Sequence, residues 1–553
     1  MNLLHSVPRM KPSMMNTIAA ACIGAGVMVL AAASAAAAPP RPVSGIDPLA
    51  GCFADRVASQ PGINYPDSEI EPTIDDNPKR PANLIAVWQQ DRWSDGGARG
   101  LVAGVSIDSG VTWSRLAPPG ITKCSGGIYD RASDPWVTFS PNGTAYFLSL
   151  AFNNNRPDGG GGQNAVLVNR SLNGGFQWSR PISLIVDTDG QIFNDKESMT
   201  ADPKDSRFAY AVWDRLQDFT LPAGKQSGPA ARSLAKRLHD GVVNARQRHA
   251  RLEKRARMKA PASPPTFKGP SVFVRTTNGG ASWEPPKIIY DPGNDAQTIN
   301  NIVEVLPDGT LVNFFTNISS LGETSIGLQK STNKGRSFKP ATLPVTTNVT
   351  LHATLSPDDR EGVRDANILF DPAVDPENGN LYLVWQDGRF GGIDRVVFSM
   401  STDQGVTWSD PALIAMTPPG AIRLRNQSFI PSVEVGANHQ IVVTYYDFRN
   451  DLSNGQERTD YFAVFCTPSA SVDCSQRSSW GDGVTPLKDI RLTRQSFDIL
   501  DAPDAGGHFL GDYAGLVRRG QTVLPAFVIP DSQNKTTVYT TPIRARNAVI
   551  GLE

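Results

Sequence analysis

Residues 401–410 read STDQGVTWSD, and nearly the same phrase stands at 106–115 (SIDSGVTWSR), 171–180 (SLNGGFQWSR) and 276–285 (TTNGGASWEP), with a worn form, STNKGRSFKP, at 331–340. The common pattern is Ser/Thr-x-Asp/Asn-x-Gly-x-x-Trp. Each position has a physical task. Glycine admits the positive φ of a tight hairpin. Asp or Asn accepts backbone N–H groups within its own loop. Tryptophan wedges a large apolar surface beside the turn. Asn173, Asn278 and Asn333 keep the acceptor and lose the acid. The phrase is therefore a structural clasp and does no chemistry.

A second pattern precedes the clasps: a β-rich segment, a short turn, then an apolar strand ending near an aromatic. It runs from EPTIDDNPKRPANLIAVWQQDRW (71–93) and SDPWVTFSPNGTAYFLSL (133–150) to GDYAGLVRRGQTVLPAFVIPDS (511–532). Further copies lie at 196–215, 301–317, 370–389 and 431–449. Two strands here and two around each clasp make a four-stranded antiparallel unit, and a string of such units is a β-propeller. Seven blades are preferred and six are the alternative. Within a blade the strands run outward from the axis. The clasps then share one face, and the axial pocket opens on the other.

The clasps resemble the Asp-box (BNR) repeat of sialidases and related secreted propellers, over nearly all of the chain after its leader. That resemblance implies a glycan-active enzyme, most simply a sialidase-like glycoside hydrolase. It implies an arginine triad, an acidic Asp and a Tyr/Glu pair. The family's Arg-Ile-Pro phrase has no counterpart; the nearest text is Asn64-Tyr65-Pro66. A polysaccharide lyase, a non-catalytic glycan- or protein-binding propeller and a structural surface protein are the alternatives, since one fold hosts many functions.

The pocket-side loops supply the candidate site. Strand-a entries carry Asp130, Arg131 and Asp134, then Asp195, Lys196 and Glu197, then Arg364 and Asp365, then Asp512 and Tyr513. We take Asp130, Glu197, Asp512 and Tyr513 as candidate catalytic groups, because paired carboxyls, or a Tyr beside a carboxylate, break glycosidic bonds. Arg92, Arg131, Asp195, Lys196, Arg215, Arg389 and Arg449 are candidates for holding a glycan substrate, an acidic one among the options. Arg92, Arg215, Arg389 and Arg449 follow strand b, where an Asp–Arg pair can equally be a bridge within the fold. No metal spacing appears and no cofactor is implied; a structural cation such as calcium stays open.

The ends and the odd segment complete the expectations. Arg9 and Lys11 precede an apolar stretch, Ile18 to Ala38, ending in three alanines before Pro39: a signal peptide over 1–38. An uncleaved anchor is the alternative. An arm (39–64) and the propeller (65–553) follow. Export suits the even set Cys52, Cys124, Cys466 and Cys474. The short separation pairs Cys466 with Cys474, leaving Cys52 for Cys124. From about 222 to 266 the repeat stops. Lys225 to Lys259 holds 11 Lys and Arg against 2 acids in a chain of net charge −1, with Leu234, Leu238, Val242, Ala245, His249, Leu252 and Ala256 on one helix face. This basic helical insertion is a solvated excursion, a pocket wall, or a contact for an anionic surface. The near-neutral net charge argues against nucleic acid, and the protein is expected to be a monomer.

Overall fold

The computed structural model describes residues 38–55, 60, 62–153, 162–219, 266–420, 422–452 and 454–545. The expected signal peptide and basic helix lie outside these residues. The described chain is nearly all β, with only short 3-10 turns besides strands, and its sheets pair antiparallel apart from one short parallel contact.

The strands form a β-propeller. Its inner strands are Glu69–Asp76, Arg131–Phe139, Ile192–Ala201, Gln297–Val305, Phe370–Val374, Ser428–Val435 and Gly515–Arg519. Each pairs with the next strand in sequence. Each inner strand also packs against the inner strand of the next unit, and the last packs against the first, so these strands ring an axis. The second strands are sandwiched between neighbouring sheets. Every residue of Leu84–Arg92 is buried, which is why that stretch reads as an unbroken apolar run (LIAVW) rather than an alternating one.

The clasps behave as the sequence suggests. Asp403 Oδ1 accepts from the Val406 and Thr407 amides at 3.0 and 2.8 Å, and the Gly405 amide donates to Ser401 Oγ at 2.7 Å. Asp108 repeats this with the Val111 and Thr112 amides. Asn173, Asn278 and Asn333 each keep the i+4 amide bond, at 2.9, 3.0 and 2.9 Å. A side chain on Gly175 would meet Ile85, and one on Gly335 would meet Phe273. Both contacts are with the preceding unit, so the clasp also locks one unit to its neighbour. The missing Cβ, together with φ of +97° and +74°, explains why glycine is needed there.

The arm is part of the propeller. Arg41–Pro42 pairs with Lys535–Thr540, the outermost C-terminal strand, in the register Arg41↔Thr540 and Pro42↔Tyr539. The Val538 amide donates to Ser44 Oγ at 2.9 Å. Chain start and chain end thus share the closing sheet. Both expected disulfides are present, with Cα–Cα distances of 5.5 Å for Cys52–Cys124 and 5.9 Å for Cys466–Cys474. Among the described residues no helix is long and apolar enough to cross a membrane.

Candidate active site

Five inner strands break register near their start, each holding one residue at positive φ. The breaks fall between Ile70/Thr73, Ser133/Trp136, Asp195/Ser198, Ile299/Ile302 and Phe429/Ser432. The residues at positive φ are Glu71 (53°), Asp134 (49°), Lys196 (49°), Asn300 (61°) and Ile430 (49°). Bulges re-aim side chains, and non-glycine residues in this region are held there by their surroundings. The same backbone step therefore presents charged groups on three consecutive units.

Those groups meet. Lys196 Nζ lies 2.7 Å from Asp134 Oδ1, 3.3 Å from Glu71 Oε1 and 2.6 Å from Asp512 Oδ2. Arg364 donates twice to Asp512, Nε to Oδ1 at 3.0 Å and Nη2 to Oδ2 at 2.8 Å. Gln89 Nε2 donates to Glu71 Oε2 and, at 3.1 Å, to Ser133 Oγ. Arg92 Nη1 donates to Gln89 Oε1 at 2.7 Å. The guanidiniums of Arg364 and Arg92 both lie over the Phe509 ring, at 4.2 and 4.9 Å.

The cluster sets opposite protonation states side by side. Burial pushes Glu71 up to about 8, with Lys196 opposing and Asp134 and Asp512 reinforcing, so it carries a proton at neutral pH. Burial would raise Asp512 too, but Arg364 and Lys196 hold it well below the usual carboxylate range. Asp195 rises to about 7 through burial and the Asp134 charge. Glu197 rises well above its ordinary value for the same two reasons. The Tyr513 phenol is raised by burial, then by Glu71, Asp134 and Glu197.

Below the cluster an axial cavity of about 230 Å³ runs between all the inner strands. Asp512, Tyr513 and Trp136 stand at its head, and Glu304, Asp371 and Glu434 come from further along the inner strands. The Tyr513 and Trp136 rings are 5.9 Å apart, and Lys196 Nζ lies 5.3 Å from the Tyr513 ring centre. The Tyr513 hydroxyl and both Glu197 carboxylate oxygens are buried without a hydrogen-bond partner.

Of the residues singled out in the sequence, Lys196, Asp512 and Tyr513 gather here, with Glu197 close enough for its charge to act on Tyr513. Asp195 accepts the Lys196 amide at 3.1 Å. Arg92 stands one layer back. Asp130 and Arg131 do not join the Lys196 cluster. Asp130 pairs with Lys123 at 2.6 Å. Arg131 stacks on Trp93 at 4.0 Å and pairs with Asp95 at 2.6 Å. They precede the bulge, and it is the bulge residue Asp134 that turns inward. Arg389 is tied to Asp387 at 2.7 Å, and Arg449 to Asp447 and Asp489 at 2.5 and 2.7 Å, each within its own sheet. Arg215 reaches Asp187 of the preceding unit at 2.6 Å. These three serve as bridges.

Glu71 and Gln89 are the partners that the sequence did not single out; Arg364 stood among the strand-a entries without a role. Aligning Glu71-Pro72 with Asp134-Pro135 and Ile430-Pro431 would have found Glu71. Among the described residues, the one group of three ligand-type side chains close enough to share an ion is Cys52, Asp55 and Cys124. Both cysteines are in the disulfide, so that group offers no thiolates. Between the axial carboxylates the cation is Lys196 itself.

No family model matches the chain, and no curated protein matches it. Solved structures do overlap it. A protein of unknown function from Dyadobacter fermentans aligns at 13% identity, over 87% of this chain and 97% of that one, with a TM-score of 0.41. A Hadza microbial sialidase aligns at 14% identity over 83% and 77%, with a TM-score of 0.42. A Penicillium chrysogenum α-L-arabinanase aligns at 11% identity over 69% and 92%, with a TM-score of 0.39. Overlaps this distant assign no activity; the propeller rests on the strand order above.

Proposed function

We propose that the protein is an exported, sialidase-like glycoside hydrolase whose chemistry lies at the head of the axial cavity. What carries this is one juxtaposition. A protonated Glu71 and an ionised Asp512 share the Lys196 ammonium, beside a phenol and a carboxyl, Tyr513 and Glu197, that are buried with no partner. Pairs of titratable groups driven to opposite states mark acid and base assignments. Both carboxyl groups reach one ammonium, at 3.3 and 2.6 Å, so their nearest oxygens are no more than about 6 Å apart and both can act on one bound sugar.

In this reading Glu71 gives its proton to the leaving glycosidic oxygen. Tyr513 Oη attacks the anomeric carbon and passes its proton to Glu197, which serves as the base in its ionised form. A water then attacks the glycosyl–tyrosine bond, losing a proton to Glu71 and restoring the phenol through Glu197. Asp512, saturated by Arg364 and Lys196, stays ionised and stabilises the cationic transition state. Two disulfides in the described chain support an oxidising compartment.

The test is a panel of aryl glycosides and natural glycans, scored for reducing ends. Glu71→Gln and Tyr513→Phe should each lower kcat at least about 100-fold with an unchanged fold. A wild-type protein that binds a glycan and turns over none of the panel refutes the hydrolase and leaves a binding module.

A further inference from the structure

The same cavity carries information about the charge of its occupant. Its walls include Asp365, Asp371, Glu304, Glu434 and Asp512, and no Lys, Arg or His is among them. The cations at its head are already engaged: Lys196 by the Asp134 and Asp512 carboxylates and the Glu71 carboxyl, Arg364 by the bidentate contact with Asp512. An incoming carboxylate would have to displace an internal one. The unengaged groups are acidic or aromatic. Behind the lining, Glu197 is 2% exposed and neither of its oxygens has a partner. Its charge acts on the Tyr513 hydroxyl, which is itself unpartnered. The Tyr513 and Trp136 rings form the apolar side of the same space.

Further along the axis, Asp371 Oδ2 accepts the Val433 amide at 2.8 Å and Glu434 Oε1 the Val435 amide at 2.7 Å. Glu304, Asp371 and Glu434 have no salt bridge among the described residues, although Arg518 lies near enough to act on Glu434. Burial above all raises the three, Asp371 to about 8 and Glu434 to about 7; the Glu434 charge adds to the shift of Asp371 and Glu304, and Asp76 adds to that of Glu434. A bound cation would relieve that arrangement. The volume, about 230 Å³, equals roughly eight waters at about 30 Å³ each. It admits one sugar ring, with the rest of a chain outside.

We infer that the axial cavity selects a primary ammonium, presented by the terminal ring of an amino-sugar glycan, and disfavours sialic acid and other acidic sugars. Burial keeps the axial acids largely protonated in the empty cavity, and an entering ammonium supplies the countercharge on which they ionise; the aromatic pair adds a cation–π wall. This deepens the proposed hydrolase reading by naming its substrate class, and it rests on that reading's placement of the substrate in the cavity.

The experiment is calorimetric titration of the whole mature protein with four probes: a glucosamine disaccharide, its N-acetylated counterpart, N-acetylneuraminic acid and spermidine. The glucosamine disaccharide should bind at least tenfold tighter than the acetylated form and than neuraminic acid. Glu304→Gln/Glu434→Gln should erase most of that preference, and Asp371→Asn provides a second, independent removal of charge should the double variant fold poorly. Equal binding of the acetylated disaccharide, or tighter binding of neuraminic acid, overturns the inference. Spermidine binding with no sugar binding overturns its glycan part. Selective amine binding without turnover of any glycan upholds the inference and defeats the hydrolase alone, so the two failures are distinguishable.

Discussion

Replacing Lys196 by methionine keeps most of the unbranched apolar stem and removes the ammonium. Asp134 and Asp512, 2.7 and 2.6 Å from Nζ in the native protein, then face each other without a cation, their oxygens no more than about 5 Å apart. At an effective dielectric of about 20 their repulsion is about 3 kcal/mol. Breaking a buried pair by removing one partner costs about 3–5 kcal/mol, and Arg364 still compensates Asp512, so we expect a loss of about 3–4 kcal/mol at pH 8. The loss should shrink at pH 5, because acid neutralises part of the carboxylate charge that has lost its counter-ion. The assay is urea denaturation of wild type and Lys196→Met at both pH values, followed by tryptophan fluorescence. A loss below about 1 kcal/mol at pH 8, or one that does not shrink on acidification, refutes the account of Lys196 as the ion that holds the axial carboxylates together.

Asp403→Ala removes the acceptor for two loop amides at an exposed hairpin; we expect a loss of about 1 kcal/mol with turnover per folded molecule unchanged, measured by melting and activity in parallel. Glu69, Glu71, Asp75 and Asp371 are each raised to about 8 by burial above all. Their folded values lie above their unfolded ones, so their stabilisation is complete below about pH 4 and is lost as pH rises through 8. Asp512 is shifted the other way, and its contribution fades only below the ordinary carboxylate range. Scanning calorimetry should therefore find a higher melting temperature at pH 5 than at pH 8. Reducing Cys52–Cys124, or replacing both cysteines by serine, should free the segment around Cys52 to limited proteolysis while the clasps stay protected, as mass spectrometry of the fragments would show.

The fold was legible because the clasp is local. All its contacts within a loop lie inside about eight residues, so Ser401, Asp403 and Gly405 announce the hairpin wherever they recur. The site was legible only in part. Lys196 and Asp512 stood out as charges at strand entries. Glu71 was hidden because its Pro72-containing stretch reads as an ordinary lead into a strand, and only comparison of bulges across units reveals it. Arg364 was visible as a charge at a strand entry, but its role as the clamp on Asp512 was not: its two-residue strand pairs in parallel with His508–Phe509, a contact spanning so much chain that no local pattern records it. Asp130 and Arg131 misled for the opposite reason: their charge is conspicuous, but it serves Lys123, Asp95 and Trp93.

The sheet shared by Arg41–Pro42 and Lys535–Thr540 sets a rule of timing. A ribosome or an export channel delivers the chain from its N-terminus, so the first strand of the ring emerges long before the strand it must join. Inner units can assemble as they appear, each clasp gripping the unit before it. The ring itself stays open until the final hairpin has been delivered, and Arg41, Pro42 and Ser44 wait unpaired for Val538 to Thr540. A chain stopped a few residues short of Lys535 would hold every clasp and most of the axial cluster, yet have nothing to fasten its beginning to its end.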